Sequence, residues 1–226
     1  MRYLVDSFSP KEIERVLQYY PAEGVTTNPT IVCRERADFR ETLLAIRHVV
    51  GEGILHVETM QTRAEDMLRE ALALRDLLSR RPGDLFIKLP AVPEGIRACR
   101  MLKKEGLGVT VTAVFSPQQA LVAARAGADF AAPYVNKLSD VGDGEACVKR
   151  IAQLYQAHGL TTKILSASFR NVEQVTRVAE AGSHYATLPP AFFDKLVYHP
   201  MTELAVKGFE ADWREVYGDK APIDLI

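Results

Sequence analysis

The amino-acid sequence predicts an α/β fold, a single (β/α)8 barrel of the TIM type that occupies residues 1–226. Short β-branched or aromatic runs alternate with amphipathic stretches, an order typical of βα units around a parallel sheet. Eight units follow one another without a Gly/Ser linker, near the lower end of the usual length for this fold. A doubly wound open sheet is the alternative. It is disfavoured because no GxGxxG fingerprint follows the first strand.

Eight runs supply the predicted strands. Each is short, and each is followed by a stretch whose apolar residues recur at helical spacing. In chain order the predicted strands cover residues 2–6, 24–28, 53–59, 85–90, 107–113, 130–136, 162–168 and 183–189.

The connecting stretches carry helix signals. Residues 63–81, RAEDMLREALALRDLLSRR, place their Leu, Met and Ala side chains on one broad face. Ser116 and Pro117 are suited to the N-cap and first position of a helix that Gly127 closes in the left-handed conformation. Gly106 is expected to end the preceding helix in the same way.

A further helix is predicted at about residues 199–217. We expect its apolar stripe to pack on the same barrel, while Leu225 and Ile226 in the tail leave room for a contact with a neighbouring subunit. The stripe consists of Met201, Leu204, Ala205, Phe209, Trp213 and Val216.

Composition argues against several classes of protein. The formal net charge is −1, from 28 basic and 29 acidic side chains, so the long-range field of a nucleic-acid or anionic-membrane binder is absent. The start lacks the pattern of a signal peptide, and no apolar run reaches the length of a membrane span. The three cysteines are far apart without a CxxC pair, which favours a cytoplasmic location. The five histidines show no metal-ligand spacing, so no metal site is expected.

Polar side chains stand at the ends of seven predicted strands, and the eighth supplies only Thr187. In a parallel barrel all strands point their carboxyl ends at one mouth, where active sites form. We therefore predict a functional site there. The seven strands contribute Asp6, Thr27, Asn28, Glu58, Lys88, Thr110, Thr112, Tyr134, Asn136, Lys137, Ser166, Ser168 and Arg170.

Lys88 ends the apolar run LFIKL and is followed two residues later by a proline. One interpretation is an ion pair with Asp6 or Glu58 that only ties the barrel together. The other is chemical: loss of hydration lowers the pKa of a lysine, and its neutral amine then attacks carbonyl groups. Glu58, within LHVETM, must be paired or act as an acid or base.

Other members of the set have structural alternatives. Asn28 is equally suited to be a helix N-cap. Lys137 and Arg170 fit an anion clamp late in the barrel, or are solvated surface charges.

The motifs GVTTNPT, IKLP, AAPYVNK, SASFRN and HPMTE...FEADW resemble, across essentially the whole chain, the small transaldolase and fructose-6-phosphate aldolase family. The resemblance implies a class I aldolase without metal or organic cofactor. It makes Lys88 the Schiff-base lysine, Asp6 the proton-transferring aspartate, Asn28 a ligand of substrate hydroxyls and Thr112 a residue that positions the catalytic water.

The resemblance also implies the reaction. Lys88 adds to the C2 carbonyl of a ketose phosphate such as fructose 6-phosphate, the C3–C4 bond breaks and an aldose phosphate leaves. The dihydroxyacetone unit that remains is released by an aldolase and passed to another aldehyde by a strict transaldolase. Glu58 and the pair Ser168 and Arg170 are transaldolase-like, whereas Tyr134 is aldolase-like. Its hydroxyl favours hydrolysis of the intermediate.

The predicted catalytic residues are therefore Lys88, Asp6, Glu58, Thr112 and Tyr134. The predicted substrate-binding residues are Asn28, Thr27, Thr110, Lys137, Ser166, Ser168 and Arg170.

Two positions depart from the family pattern. Thr110 stands where many transaldolases carry asparagine. Lys137 replaces a phosphate-contacting arginine of the family. Because lysine lacks the planar fork of arginine, a substrate that carries a sulfonate in place of the phosphate, such as sulfofructose, stays open. The resemblance further implies a ring-like homo-oligomer, a pentamer or a decamer of two pentamers.

Two rival functions stay open. A metal-dependent epimerase or isomerase would require histidine and carboxylate ligands at the mouth of the barrel. A non-catalytic sugar-phosphate-binding barrel would bind its ligand reversibly, without imine chemistry.

Overall fold

The computed structural model describes residues 1–140 and 142–226 and contains a closed barrel of parallel strands, β1 to β8 in chain order. Strand β8 pairs with β1, with Leu188 opposite Val5, and this pairing closes the sheet. The predicted (β/α)8 fold is confirmed. The strands are β1 Arg2–Asp6, β2 Ala22–Thr26, β3 Ile54–Glu58, β4 Leu85–Pro90, β5 Gly108–Val114, β6 Phe130–Pro133, β7 Lys163–Ser166 and β8 Tyr185–Leu188.

Helices surround the barrel and follow each strand. They are α1 Pro10–Tyr19, α2 Pro29–Glu35, α3 Phe39–Val50, α4 Ala64–Leu78, α5 Pro93–Lys104, α6 Pro117–Arg125, α7 Val135–Ser139, α8 Gly144–Ala157, α9 Val172–Glu180, α10 Pro190–Val197 and α11 Pro200–Tyr217. A 3-10 turn, Pro222–Asp224, lies in the tail. No helix in the described ranges has the length and apolar character needed to cross a membrane.

Six of the eight predicted strands differ from the observed ones by one to three residues at one or both ends. The second begins and ends two residues earlier than expected, at Ala22–Thr26. The sixth stops at Pro133 instead of residue 136, because proline cannot donate a hydrogen bond to the ladder. Tyr134 then forms only an isolated bridge with Ala167, and α7 begins at Val135. Asn136 and Lys137 are therefore helical residues.

The predicted helix ends are confirmed. The Ser116 hydroxyl accepts a hydrogen bond from the backbone N–H of Gln119, and Pro117 is the first residue of α6. Gly127 follows this helix with a φ of 95°, and Gly106 follows α5 with a φ of 73°. These backbone angles are readily adopted only by glycine, which explains why both helices stop there.

The interior of the barrel contains an aromatic layer beneath its mouth. The ring of His56 stacks on Phe86 and meets Phe130 edge-on, each at a centroid distance of 4.9 Å. Nδ1 of His56 lies 2.8 Å from Oγ1 of Thr110, while Nε2 has no hydrogen-bond partner among the residues that the structure describes. Burial, assisted by the positive charge of Lys88, lowers the pKa of His56 to about 3, so this ring is neutral.

The C-terminal helix α11 does not pack as expected. It contains no buried residue, and Met201, Leu204 and Phe209 are 63%, 62% and 69% exposed. The expectation that the stripe packs on its own barrel is therefore wrong. The tail folds back on α11 instead, since the indole N–H of Trp213 donates a hydrogen bond of 2.7 Å to the carbonyl oxygen of Lys220.

Two helical glycines give a matched test of packing. A Cβ atom at Gly95 in α5 would overlap the carbonyl oxygen of Pro90, whereas a Cβ at Gly208 in α11 meets open space. We expect Gly208→Ala to stabilise the protein by about 0.5–1 kcal/mol through helix propensity. Gly95→Ala should destabilise it by roughly 1–3 kcal/mol, because backbone must move. Urea unfolding midpoints measure both, and equal shifts of the same sign would contradict the packing argument.

Candidate active site

A cavity of about 480 Å³ opens at the carboxyl ends of the strands. Most of the predicted site residues line it, so the barrel brings together side chains that are far apart in the sequence. The predicted residues at this cavity are Asp6, Asn28, Glu58, Lys88, Thr112, Tyr134, Lys137 and Ser168.

Lys88 lies at the floor of the cavity and is only 5% exposed. Its Nζ donates a hydrogen bond of 2.6 Å to the backbone carbonyl of Thr27 and lies 3.1 Å from Oε2 of Glu58. Glu58 and Lys88 face each other because they are register partners on β3 and β4. The angles of this ion pair do not meet hydrogen-bond geometry, so Oε2 of Glu58 keeps its acceptor capacity. One of the two anticipated ion pairs, that with Glu58, is present.

Asp6 ends β1 on the same floor. The Thr26 hydroxyl donates a hydrogen bond of 2.7 Å to its Oδ1, and Thr26 also lies 2.6 Å from the hydroxyl of Thr187. Burial raises the pKa of the Asp6 carboxyl above its ordinary value. Lys88 and the hydrogen bond from Thr26 oppose that rise, whereas the charge of Glu58 adds to it.

Asn28 both caps a helix and lines the cavity. Its side-chain oxygen accepts a hydrogen bond of 3.0 Å from the N–H of Ile31, so Asn28 is the N-cap of α2. A second side-chain interaction links it to Asp6 and lowers the pKa of that carboxyl. The N-cap alternative is thus confirmed, and it holds the Asn28 amide at the cavity wall.

Thr112 and Tyr134 form a hydroxyl pair on the wall, with 3.2 Å between Oγ1 and Oη. Ala113, beside Thr112, has a φ of 54° where the register of β5 shifts against β6. A left-handed residue other than glycine is unfavourable, and such strain concentrates at functional sites. Phe115 packs edge-on against Tyr134 at 5.6 Å, and Nζ of Lys137 lies 5.5 Å from the centre of the same ring.

Four predicted site residues do not line the cavity. The Thr27 hydroxyl bonds the carbonyl oxygen of His56 at 3.3 Å, although the Thr27 backbone holds Lys88. Thr110 bonds His56, and Ser166 lies 2.8 Å from the hydroxyl of Ser183. These three side chains are buried supports for the strands.

The fourth, Arg170, lies outside the cavity. Its guanidinium is 3.2 Å from Oδ1 of Asp140, and both side chains are more than half exposed. The alternative interpretation, a solvated surface charge, therefore describes Arg170 as the structure has it.

Three polar residues of the cavity are missing from the set that the sequence predicts. Thr26 is absent from the predicted set because the second strand ends two residues earlier than predicted. Thr30 and Arg34 belong to α2, so a search of strand ends could not find them.

Among residues 1–140 and 142–226, no three His, Cys, Asp or Glu side chains are grouped closely enough to hold a metal ion.

Comparison with known proteins gives concordant results. Residues 3–220 match the family model described as Transaldolase/Fructose-6-phosphate aldolase. A probable transaldolase of Brevibacillus brevis is 40% identical over 214 residues, covering 94% of this chain and 98% of that protein. A probable transaldolase of Symbiobacterium thermophilum is 36% identical over 219 residues, covering 96% and 99%.

Among solved structures, a mandelate oxidase mutant aligns with a TM-score of 0.59 at 13% identity. The alignment covers 84% of this chain and 64% of that one, so this chain spans less than two thirds of the oxidase. At that identity the likeness shows the barrel fold alone. The family match and the two transaldolase relatives, by contrast, extend over nearly the full length of the chain, which therefore belongs to the transaldolase/fructose-6-phosphate aldolase family.

Proposed function

We propose that this transaldolase-type enzyme cleaves a ketose phosphate such as fructose 6-phosphate through a Schiff base on Lys88. The observation that carries the proposal is the placement of Lys88. It is a buried lysine at the floor of the cavity, with one carboxylate 3.1 Å away and the second at the end of a nearby strand. An amine that attacks a carbonyl must first lose a proton, and Glu58 is within reach to accept it.

The cleavage step follows from the same arrangement. The Lys88 amine adds to C2, water leaves and a protonated imine forms. The Asp6 carboxylate then accepts the proton of the C4 hydroxyl, and the electrons of the C3–C4 bond pass into the imine to give an enamine. An aldose phosphate departs. The Asn28 amide, at the cavity wall beside Asp6, is suited to bind substrate hydroxyls.

The fate of the enamine separates two activities. Protonation at C3 and hydrolysis release dihydroxyacetone, whereas attack on a second aldehyde transfers the unit. Hydrolysis requires a water molecule and a proton donor, and the Thr112 and Tyr134 hydroxyls, 3.2 Å apart, form a suitable pair. We therefore favour release of dihydroxyacetone. Strict transfer is the alternative, because Glu58 is also able to hold that water.

A covalent trap tests the Schiff base. After incubation with fructose 6-phosphate and sodium borohydride, we expect an added sugar or three-carbon mass on Lys88 by intact mass and peptide mapping, because borohydride reduces an imine to a stable amine. The Lys88→Met protein should gain no mass. Absence of an adduct on the unmodified chain, with dihydroxyacetone also failing, would favour the non-catalytic sugar-phosphate-binding barrel.

Two substitutions test the fate of the enamine. Tyr134→Phe removes the proton donor beside Thr112, and we expect the ratio of hydrolysis to transfer to fall roughly tenfold or more. Glu58→Gln should change the ratio in the opposite sense. Free dihydroxyacetone and transferred product are measured in one assay with an acceptor aldehyde. An unchanged ratio in Tyr134→Phe would show that its hydroxyl is not used.

The pH dependence tests the role of Asp6. Cleavage requires its carboxylate form, so kcat/KM should fall as the pH drops through the raised pKa of Asp6. Thr26→Val removes a hydrogen bond that lowers this pKa and should move the acid limb to higher pH. Thr30→Val, also at the cavity, serves as the control. An acid limb that stays in place in Thr26→Val would exclude Asp6 as the titrating group.

We propose in addition a homo-oligomer, a pentamer or decamer, in which α11 contacts a neighbouring subunit. The support is its exposed apolar face, since exposed apolar patches often mark protein contacts. Sedimentation should give a species much larger than 25.1 kDa. Phe209→Glu should dissociate it, whereas Lys207→Glu, which introduces the same side chain on the same helix, should leave it intact. A monomeric unmodified chain would remove the proposal.

A further inference from the structure

The rim of the cavity carries positive charge that no carboxylate of the described chain balances. Lys88 is paired with Glu58, and Arg170 is paired with Asp140 outside the cavity. Arg34 and Lys137 both line the cavity, and neither forms an ion pair or a hydrogen bond through its side chain within residues 1–140 and 142–226. Two cations at this rim are therefore available to an anion.

Arg34 reaches the cavity because of how α2 is built. The helix starts beside Asn28 at the cavity wall and ends at Glu35, where Arg36 adopts a φ of 51°. Thr30 and Ile31 lie four and three residues before Arg34, so the three share one helical face. All three line the cavity, which shows that this face is turned towards the site.

Ser168 lies at the same cavity, after the end of β7. Its φ of 62° is in the left-handed region, and its carbonyl oxygen accepts a hydrogen bond of 2.7 Å from the N–H of Asn136. A serine in this conformation is unfavourable and is held by its surroundings. That conformation keeps Ser168 at the cavity, while Arg170 pairs with Asp140 outside it.

We infer that Arg34 is a specificity-determining residue that binds, together with Lys137 and the Ser168 hydroxyl, the terminal phosphate of the substrate. This inference rests on the proposed function. A guanidinium donates two parallel hydrogen bonds to an oxyanion, and the lysine adds a point charge. Two unbalanced positive charges match a dianionic phosphate monoester, whereas a sulfonate carries a single negative charge. The site thus selects a ketose phosphate, with Arg34 taking the phosphate-binding role that the sequence assigned to Arg170.

The test measures phosphate binding directly. Inorganic phosphate is titrated against the full-length protein by ³¹P NMR at pH 8, and KM for fructose 6-phosphate is measured in parallel. We expect Arg34→Ala to weaken phosphate binding and to raise KM about tenfold or more, as loss of a charge-assisted hydrogen bond implies. Arg34→Lys should show a smaller loss. Arg40→Ala, an exposed arginine on the neighbouring helix α3, is the control and should match the unmodified protein.

The outcomes separate the two proposals. Phosphate binding in Arg34→Ala equal to that of the unmodified protein, with a clear loss in Arg170→Ala, would overturn the assignment of Arg34. Tighter binding of sulfofructose than of fructose 6-phosphate would overturn the phosphate preference. The proposed function fails by a different measurement, namely absence of a borohydride adduct with dihydroxyacetone. That donor lacks the anionic end, so its adduct does not depend on Arg34.

Discussion

The site depends on how one buried ammonium group is balanced. Lys88 lies among two carboxylates, Asp6 and Glu58, at the floor of a narrow barrel. A buried charge is tolerated only when it is paired, and a second unpaired negative charge would be unfavourable. The observed arrangement meets this constraint: Glu58 pairs with Lys88, and burial raises the pKa of Asp6. The surroundings of Asp6 and Glu58 differ, so the two carboxylates are suited to different tasks.

The rest of the barrel maintains that balance. The register of β3 against β4 places Glu58 opposite Lys88, and the backbone carbonyl of Thr27 takes one hydrogen bond of the ammonium. Beneath them, Phe86, Phe130 and the ring of His56 pack against one another in the interior of the barrel. The pairing of the charged groups is therefore set by strand register and by packing.

Much of the fold followed from the sequence, because alternating strand and helix signals are local and the parallel barrel unites the strand ends. Lys88, Glu58 and Asp6 were found by that argument. Arg34 was not, because a helix residue reaches the rim only through the direction of α2. The position of Arg170 could not be predicted from the sequence either, because its ion-pair partner, Asp140, lies 30 residues away along the chain. The packing of α11 was predicted wrongly because an apolar stripe indicates a partner without saying which.

The neutral His56 has a consequence for the acid tolerance of the fold. Its pKa is about 3 in the folded chain, against 6.5 for a solvated histidine, so only the unfolded chain takes up a proton between these values. Folding is therefore favoured fully above pH 6.5, and that contribution is lost as the pH falls towards 3. By pH 5 the loss amounts to about 2 kcal/mol, a sizeable part of the stability of an ordinary domain. A residue that does not line the cavity thus limits the acidity at which the barrel persists.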